Sequence, residues 1–215
     1  MRVAAESIAA KEPELRKSDR TRIAILDAAL EFLWTKPFRS LTVAELMTIA
    51  GASRSTFYQY FHDLHELMEA LLEGLKHSIL EVANPWLTSE SNVIEELHRS
   101  LEGLVEVCHA QGPILRAVAE ASTADDRLEL SWSDFLKAFD DAVTDRIERH
   151  QELGLIGDFE ARPIAVALNR LDASLLIHAF GRHPRTHPQT VLDAIVRIWT
   201  STLYGTAQPA EPLAS

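Results

Sequence analysis

From Leu64 to Ile79 the apolar residues fall at Leu64, Leu67, Met68, Leu71, Leu72, Leu75 and Ile79, and only an α-helix turns steps of three and four to one side. The same period returns at Ile94, Leu97, Leu101, Leu104, Val105 and Cys108, and again at Trp132, Phe135, Leu136, Phe139, Val143 and Ile147. No stretch alternates apolar and polar residues for more than a few positions, so strands have no foothold. An all-α fold is the consequence.

The breaks between stripes predict nine helices. The first runs from about Asp19 to Trp34, with Ile25, Leu26, Ala29, Phe32 and Leu33 inward, and stops at Lys36-Pro37. Thr42-Val43-Ala44-Glu45 is a capping-box pattern opening the second. Gly51 ends it, and Ser53 caps a short third helix over Arg54 to Tyr60. Asp63 opens the fourth, which Asn84-Pro85 closes. The fifth covers about Asn92 to His109, Gly112-Pro113 opens a short sixth, and the seventh runs from about Asp125 to Leu153. The eighth, about Phe159 to Phe180, is apolar on nearly every side in its later part, and the ninth runs from Pro188 to Tyr204 before Gly205. Residues 1–18 and 206–215 have no period and are expected to form arms without regular structure.

The charge is distributed unevenly. The net charge of -11 argues against a nucleic-acid partner when taken whole, yet residues 16–62 carry seven Lys or Arg against four acids, while 63–215 carry 12 against 25. The chain has a basic head and an acidic body, which suits a surface that meets phosphate attached to one that does not. A single cysteine, Cys108, excludes an intrachain disulfide framework, and its place on an apolar stripe predicts a buried, inert thiol. The first residues lack an apolar run of leader length and no window approaches a membrane span, so a cytoplasmic location without membrane contact is expected.

Two short helices around Gly51 form a helix-turn-helix pattern. On the second of them Phe57 and Phe61 share one side, and Arg54, Ser55, Tyr58, Gln59 and His62 share the other. That polar side has no acid and consists of types that contact base edges and phosphates. The segments Ile25-Leu26-Asp27-Ala28-Ala29, Leu41 to Ser53, and Ser55-Thr56-Phe57-Tyr58-Gln59-Tyr60-Phe61 together resemble the DNA-binding domain of TetR-family transcriptional regulators over about residues 20–75.

The resemblance implies a DNA-binding domain at 19–65 and a ligand-binding and dimerisation domain at 66–205. It implies a homodimer that binds double-stranded operator DNA as a ligand-responsive regulator, a repressor in family terms, with no cofactor, no metal and no catalytic residue. On this chain the DNA contacts fall to Thr42, Ser53, Arg54, Ser55, Thr56, Tyr58, Gln59, Tyr60 and His65. Many family members open the fourth helix with a phosphate-binding Lys; Leu64 stands there, leaving the contact to His65 or unfilled. The Gly that commonly follows the first helix is replaced by Lys36-Pro37.

The C-terminal part, with Ala167-Leu168-Asn169 and Ile198-Trp199-Thr200-Ser201, is similar to the branch of the family typified by the mycobacterial ethionamide-resistance repressor. That similarity implies a channel for a small lipophilic effector lined by Leu97, Leu101, Leu104, Cys108, Trp132, Phe135, Phe139, Asn169, Asp172 and Trp199. Asp172 occupies the position of a channel Asn, so the pocket gains an acidic group. Dimerisation through the eighth and ninth predicted helices is assigned to Leu175, Leu176, Phe180, Ile195 and Ile198.

Two other classes compete with this one, a metal-dependent helical enzyme and a protein-binding adaptor. Glu95-x-x-His98 and Glu106-x-x-His109 match halves of a di-iron carboxylate site, but both lie on one helix about 16 Å apart, where facing helices are needed. His62/His65 and His183/His187 each lack a third ligand nearby. The crowded Asp134, Asp140, Asp141 and Asp145 read as a solvated face. A protein-binding adaptor that uses the apolar eighth helix is the remaining alternative.

Overall fold

A computed structural model describes residues 17–205, so both predicted terminal arms lie outside it except for Lys17 and Ser18, which open the first helix. Eight α-helices and one 3-10 turn occupy the described residues, with no strand among them. They are α1 (Lys17–Thr35), the turn Phe38–Ser40, α2 (Val43–Ile49), α3 (Arg54–Phe57), α4 (Leu64–Thr88), α5 (Val93–Ala121), α6 (Asp126–Glu152), α7 (Ala161–Phe180) and α8 (Pro188–Tyr204). No described helix is long and apolar enough to cross a membrane.

The count is eight rather than nine because Pro113, expected to open a short sixth helix, lies inside the fifth. The expected fifth and sixth helices are one, with Pro113 within it. Proline removes the N–H that would bond to the carbonyl four residues back. That carbonyl, on His109, instead accepts from the Arg185 guanidinium at 2.7 Å. Pro85 similarly fails to stop α4, which continues to Thr88. The Ser100 hydroxyl reaches in from α5, accepts from the Trp86 backbone N–H and donates to the Ala83 carbonyl, both at 3.3 Å. The last turn is retained because it buries Trp86, whose indole donates to the Tyr204 hydroxyl at 3.0 Å.

The predicted stripes form one continuous core. Ile25, Ala29, Phe32 and Leu33 of α1 meet Leu46 and Met47 of α2 and Phe57 and Phe61 around α3, and the α4 stripe carries that core into the body. There α5 is the central helix. It lies against α4 so closely that a Cβ on Gly103 would stand 2.7 Å from the Val82 Cβ, and against α7 so closely that one on Gly112 would stand 2.5 Å from the Phe180 carbonyl oxygen.

Candidate DNA-binding head and ligand cavity

The head is built by caps. Thr42 opens α2 by accepting from the Glu45 N–H at 3.2 Å, while the Glu45 carboxylate turns to Lys36 rather than closing the box. Gly51, at φ +64°, closes α2: its N–H donates to the Thr48 carbonyl, and the Ala52 N–H donates to that of Met47. This double bond pattern needs a left-handed residue, which glycine supplies without strain. Ser53 then caps α3, accepting from the Thr56 N–H at 3.2 Å.

The α3 helix proper is shorter than expected, ending at Phe57 and continuing as turns through Tyr60. The division of faces is as expected. Phe57 and Phe61 are buried, whereas Arg54, Ser55, Gln59 and His62 are exposed and Tyr58 is 49% exposed. Arg54 lies over the Tyr58 ring and donates to its hydroxyl at 3.3 Å, so the two side chains stand as one unit. Thr42 and Ser53 are exposed; Thr56 and Tyr60 are partly buried beside them.

His65 stands elsewhere. Its Nε2 lies 2.6 Å from an Asp125 carboxylate oxygen at the start of α6, and its ring meets Phe38 edge-on. The imidazole thus joins head to body instead of standing free for a phosphate. Arg127 reinforces the joint with a bidentate pair to Glu69 at 2.7 and 2.6 Å and a bond to Asp63 at 3.0 Å. The Glu66 N–H and Arg127 hold the Asp63 carboxyl below the usual range, and the Leu128 N–H and His65 do the same for Asp125. On the other side of the joint the buried Arg116 guanidinium donates to the Leu33 carbonyl of α1 and, at 2.8 Å, to the Gly181 carbonyl after α7. Sequence periodicity gave no sign of these ties, because each links residues more than 50 positions apart.

The body holds a partly open cavity of about 100 Å³ between α4, α5, α6, α7 and α8. Nine of the ten residues assigned to the effector channel line it: Leu97, Leu101, Leu104, Cys108, Phe135, Phe139, Asn169, Asp172 and Trp199. Trp132 lies behind the wall, stacked on Phe135 with ring centroids 5.3 Å apart. The wall also includes Trp86, Leu136 and Val143, and Ser100 adds a hydroxyl.

Asp172 is 5% exposed; one carboxyl oxygen accepts from the Trp199 indole N–H at 2.9 Å and the other has no partner. Burial pushes its pKa up to about 8, opposed by the Trp199 bond. Burial, with Asp172 beside it, also pushes the Cys108 thiol far up, leaving it protonated and unreactive. The raised carboxyl has a stability consequence. Folded, it binds a proton that the unfolded chain has released, so its contribution is fullest below the ordinary carboxylate pKa and is lost as pH rises toward about 8. Asp172→Asn, which removes the buried ionisation, is expected to melt above the parent at about pH 8, with the gap narrowing toward about pH 4. A gap independent of pH would refute the raised carboxyl.

Asp140 departs from the solvated face assigned to it. It is 3% exposed, pairs with Arg170 at 2.8 and 3.1 Å and accepts from the Asn169 amide at 3.0 Å. Its spacing with Leu136, Val143 and Ile147 places it on the buried stripe of α6, a signal present in the sequence.

The dimer residues divide. Leu176, Phe180 and Ile195 are buried in the protomer's own core at 3%, 0% and 0%, because α7 packs that side against α5 and α6 and α8 packs against α5 and α7. Leu175 and Ile198 are only partly buried, and Leu171, one turn before Leu175, is 37% exposed. The Glu-x-x-His pairs both lie on α5, and among the described residues no group of three or more His, Cys, Asp or Glu could hold a metal ion.

This architecture agrees with known proteins. The family model for the C-terminal domain of transcriptional regulator EthR matches residues 97–205, and that for the tetR family of bacterial regulatory proteins matches 25–71. The HTH-type transcriptional regulator EthR of Mycolicibacterium smegmatis is 26% identical over 191 residues, covering 87% of this chain and 88% of that protein. EthR of Mycobacterium tuberculosis is 26% identical over 194 residues with the same coverage. Among solved structures, a TetR-family regulator from Rhodococcus superposes with a TM-score of 0.71 at 21% identity over 83% of this chain and 98% of that one. One from Syntrophomonas wolfei gives 0.71 at 14% identity over 86% and 96%. The chain belongs to the TetR family and is a helix-turn-helix transcriptional regulator with a C-terminal domain of the EthR type.

Proposed function

We propose that this regulator represses by binding a near-palindromic operator as a homodimer and is released when a small, mostly apolar effector enters the cavity. In this reading residues 19–65 form the DNA-binding unit and 66–205 the effector and dimer unit. The observation that carries it is the joint between them. Arg127, Asp125 and Ser131 tie the first turns of α6 to the start of α4, and the cavity wall begins on α6 at Phe135, one turn later. Whatever spreads the cavity displaces α6, and α4 carries the displacement to the head.

A ligand shifts such an equilibrium only through its differential affinity for the two states. A tenfold release needs about 1.4 kcal/mol, which burial of a few methylenes supplies. Arg54, Tyr58 and Gln59 take the base edges or groove, with Thr42, Ser53, Ser55, Thr56 and Tyr60 on the phosphate backbone. The partner subunit seats on the outward stripe of α7 at Leu171 and Leu175 and on Ile198 of α8, which leaves Leu176, Phe180 and Ile195 to support it from beneath. A charge on that stripe cannot be buried without a partner, so Leu175→Glu is expected to give a folded monomer by sedimentation and to weaken operator binding. An unchanged dimer would place the interface elsewhere.

Selection of bound sequences from random duplex DNA tests the function. An inverted repeat with half-sites separated by one or more helical turns supports the reading. A single unrepeated site, or no enrichment, contradicts it.

A further inference from the structure

Once Asp172 is ionised, the polar groups of the cavity, apart from the weakly donating Cys108 thiol, leave only acceptors unused. Ser100 is engaged by Ala83 and Trp86, and the Trp199 N–H by Asp172. The Asn169 amide nitrogen donates to Asp140, whose bidentate pairing with Arg170 makes it an acceptor only; the orientation of the amide is therefore fixed, with its carbonyl oxygen as the free end. One Asp172 oxygen is buried without a partner. Cys108 is the other titratable residue lining the cavity and offers no positive charge, and α4 and α6 contribute apolar side chains.

A buried carboxyl with one unmet oxygen and no cation of its own is costly unless a ligand supplies one. We propose that the cavity selects an apolar effector bearing a single protonated amine, whose N–H groups meet the unpartnered Asp172 oxygen and the Asn169 carbonyl while its body fills the surrounding apolar wall. The inference rests on the cavity being the effector site. The aromatic lining of Phe135, Phe139 and Trp199 favours the same class, since aromatic rings attract cations, whereas Trp86 already carries the Arg146 guanidinium over its ring.

Three probes of one shape separate the possibilities: phenethylamine, phenethyl alcohol and phenylacetate, titrated calorimetrically into the full chain. The amine is expected to bind at least about tenfold tighter than the alcohol, with phenylacetate weakest, because a charge-assisted bond replaces a neutral one. In Asp172→Asn the amine falls to the level of the alcohol while the alcohol is unaffected, which shows the cavity intact. Amine affinity rises between about pH 6 and about pH 9, where Asp172 ionises and an alkylamine still holds its proton, and alcohol affinity does not.

An alcohol that binds as well as the amine, or an amine preference that survives Asp172→Asn, overturns the proposal and leaves the effector site standing. Failure of all three probes to bind overturns both. Amine binding that leaves the operator complex intact supports the selectivity and refutes release as the function.

Discussion

Gly112→Ala is expected to lower the melting temperature by roughly 10 °C, an effect of about 3 kcal/mol in a chain of this size. The added Cβ would lie 2.5 Å from the Phe180 carbonyl oxygen and 2.7 Å from its carbon. Neither is a flexible side chain that could turn away, so α5 and α7 must separate at the tightest point of the body. Phe180 is fully buried there, and Arg116, four residues along α5, bonds the Gly181 carbonyl that follows it. Separation therefore loosens packing and a buried hydrogen bond together. Gly74→Ala supplies the comparison within one molecule. It lies inside α4 with nothing within 4 Å of an added Cβ, and alanine is the better helix former by up to about 1 kcal/mol. Thermal unfolding of the two variants should move in opposite directions. A neutral Gly112→Ala would mean that α5 and α7 are not packed this closely.

The second large effect concerns DNA. Arg54→Ala combined with Tyr58→Ala is expected to weaken operator affinity a hundredfold or more, about 3 kcal/mol, since each base contact contributes about 1–3 kcal/mol. Both side chains are exposed and touch each other, while the core side of α3 belongs to Phe57 and Phe61. Melting should stay within about 0.5 kcal/mol of the parent, as for surface substitutions generally. Because Arg54 and Tyr58 act as a unit, the single variants should each lose most of the affinity, and their effects should not add. Full operator binding by the double variant, measured by anisotropy, would remove α3 from the groove. Loss of folding would place the pair in the core.

These two outcomes draw on different kinds of information in the sequence. The faces of α3 and the α4 stripe were legible because period alone decides which side of a helix is apolar. Nine cavity residues were assigned through the resemblance, and the geometry brings them together. What escaped depended on tertiary context. Pro113 is a helix breaker by local rules, yet α5 runs through it because Arg185, 76 positions from His109, takes the carbonyl that the proline leaves. Pro85 is tolerated because Ser100 and Tyr204 hold Trp86 in place.

The apolar character of α7 on nearly every side points Leu176 and Phe180 to an interface, and the family resemblance adds Ile195 of α8. The protomer's own helices cover more of α7 and α8 than that reading allowed, leaving a narrow outward stripe. Asp140 shares the register of the buried α6 stripe, and that position, more than its charge, decides where it lies. Arg116 and Arg127 could not be placed, since nothing local names a partner that arrives from a distant helix.

The charge pattern of the chain makes its DNA binding directly testable. The basic head is small and the body strongly acidic, so binding should rest on specific contacts more than on phosphate neutralisation. The measurement is fluorescence anisotropy of the duplex immediately upstream of the coding region, titrated with the full chain over a series of salt concentrations beside a scrambled duplex. A dimeric regulator with a small basic head should give saturable binding with two chains per site, a shallow fall of log affinity with log salt equivalent to fewer than about 10 phosphates, and weak binding to the scrambled duplex. Absence of salt-sensitive binding, or equal affinity for both duplexes with a slope of about 10 phosphates or more, would contradict that expectation.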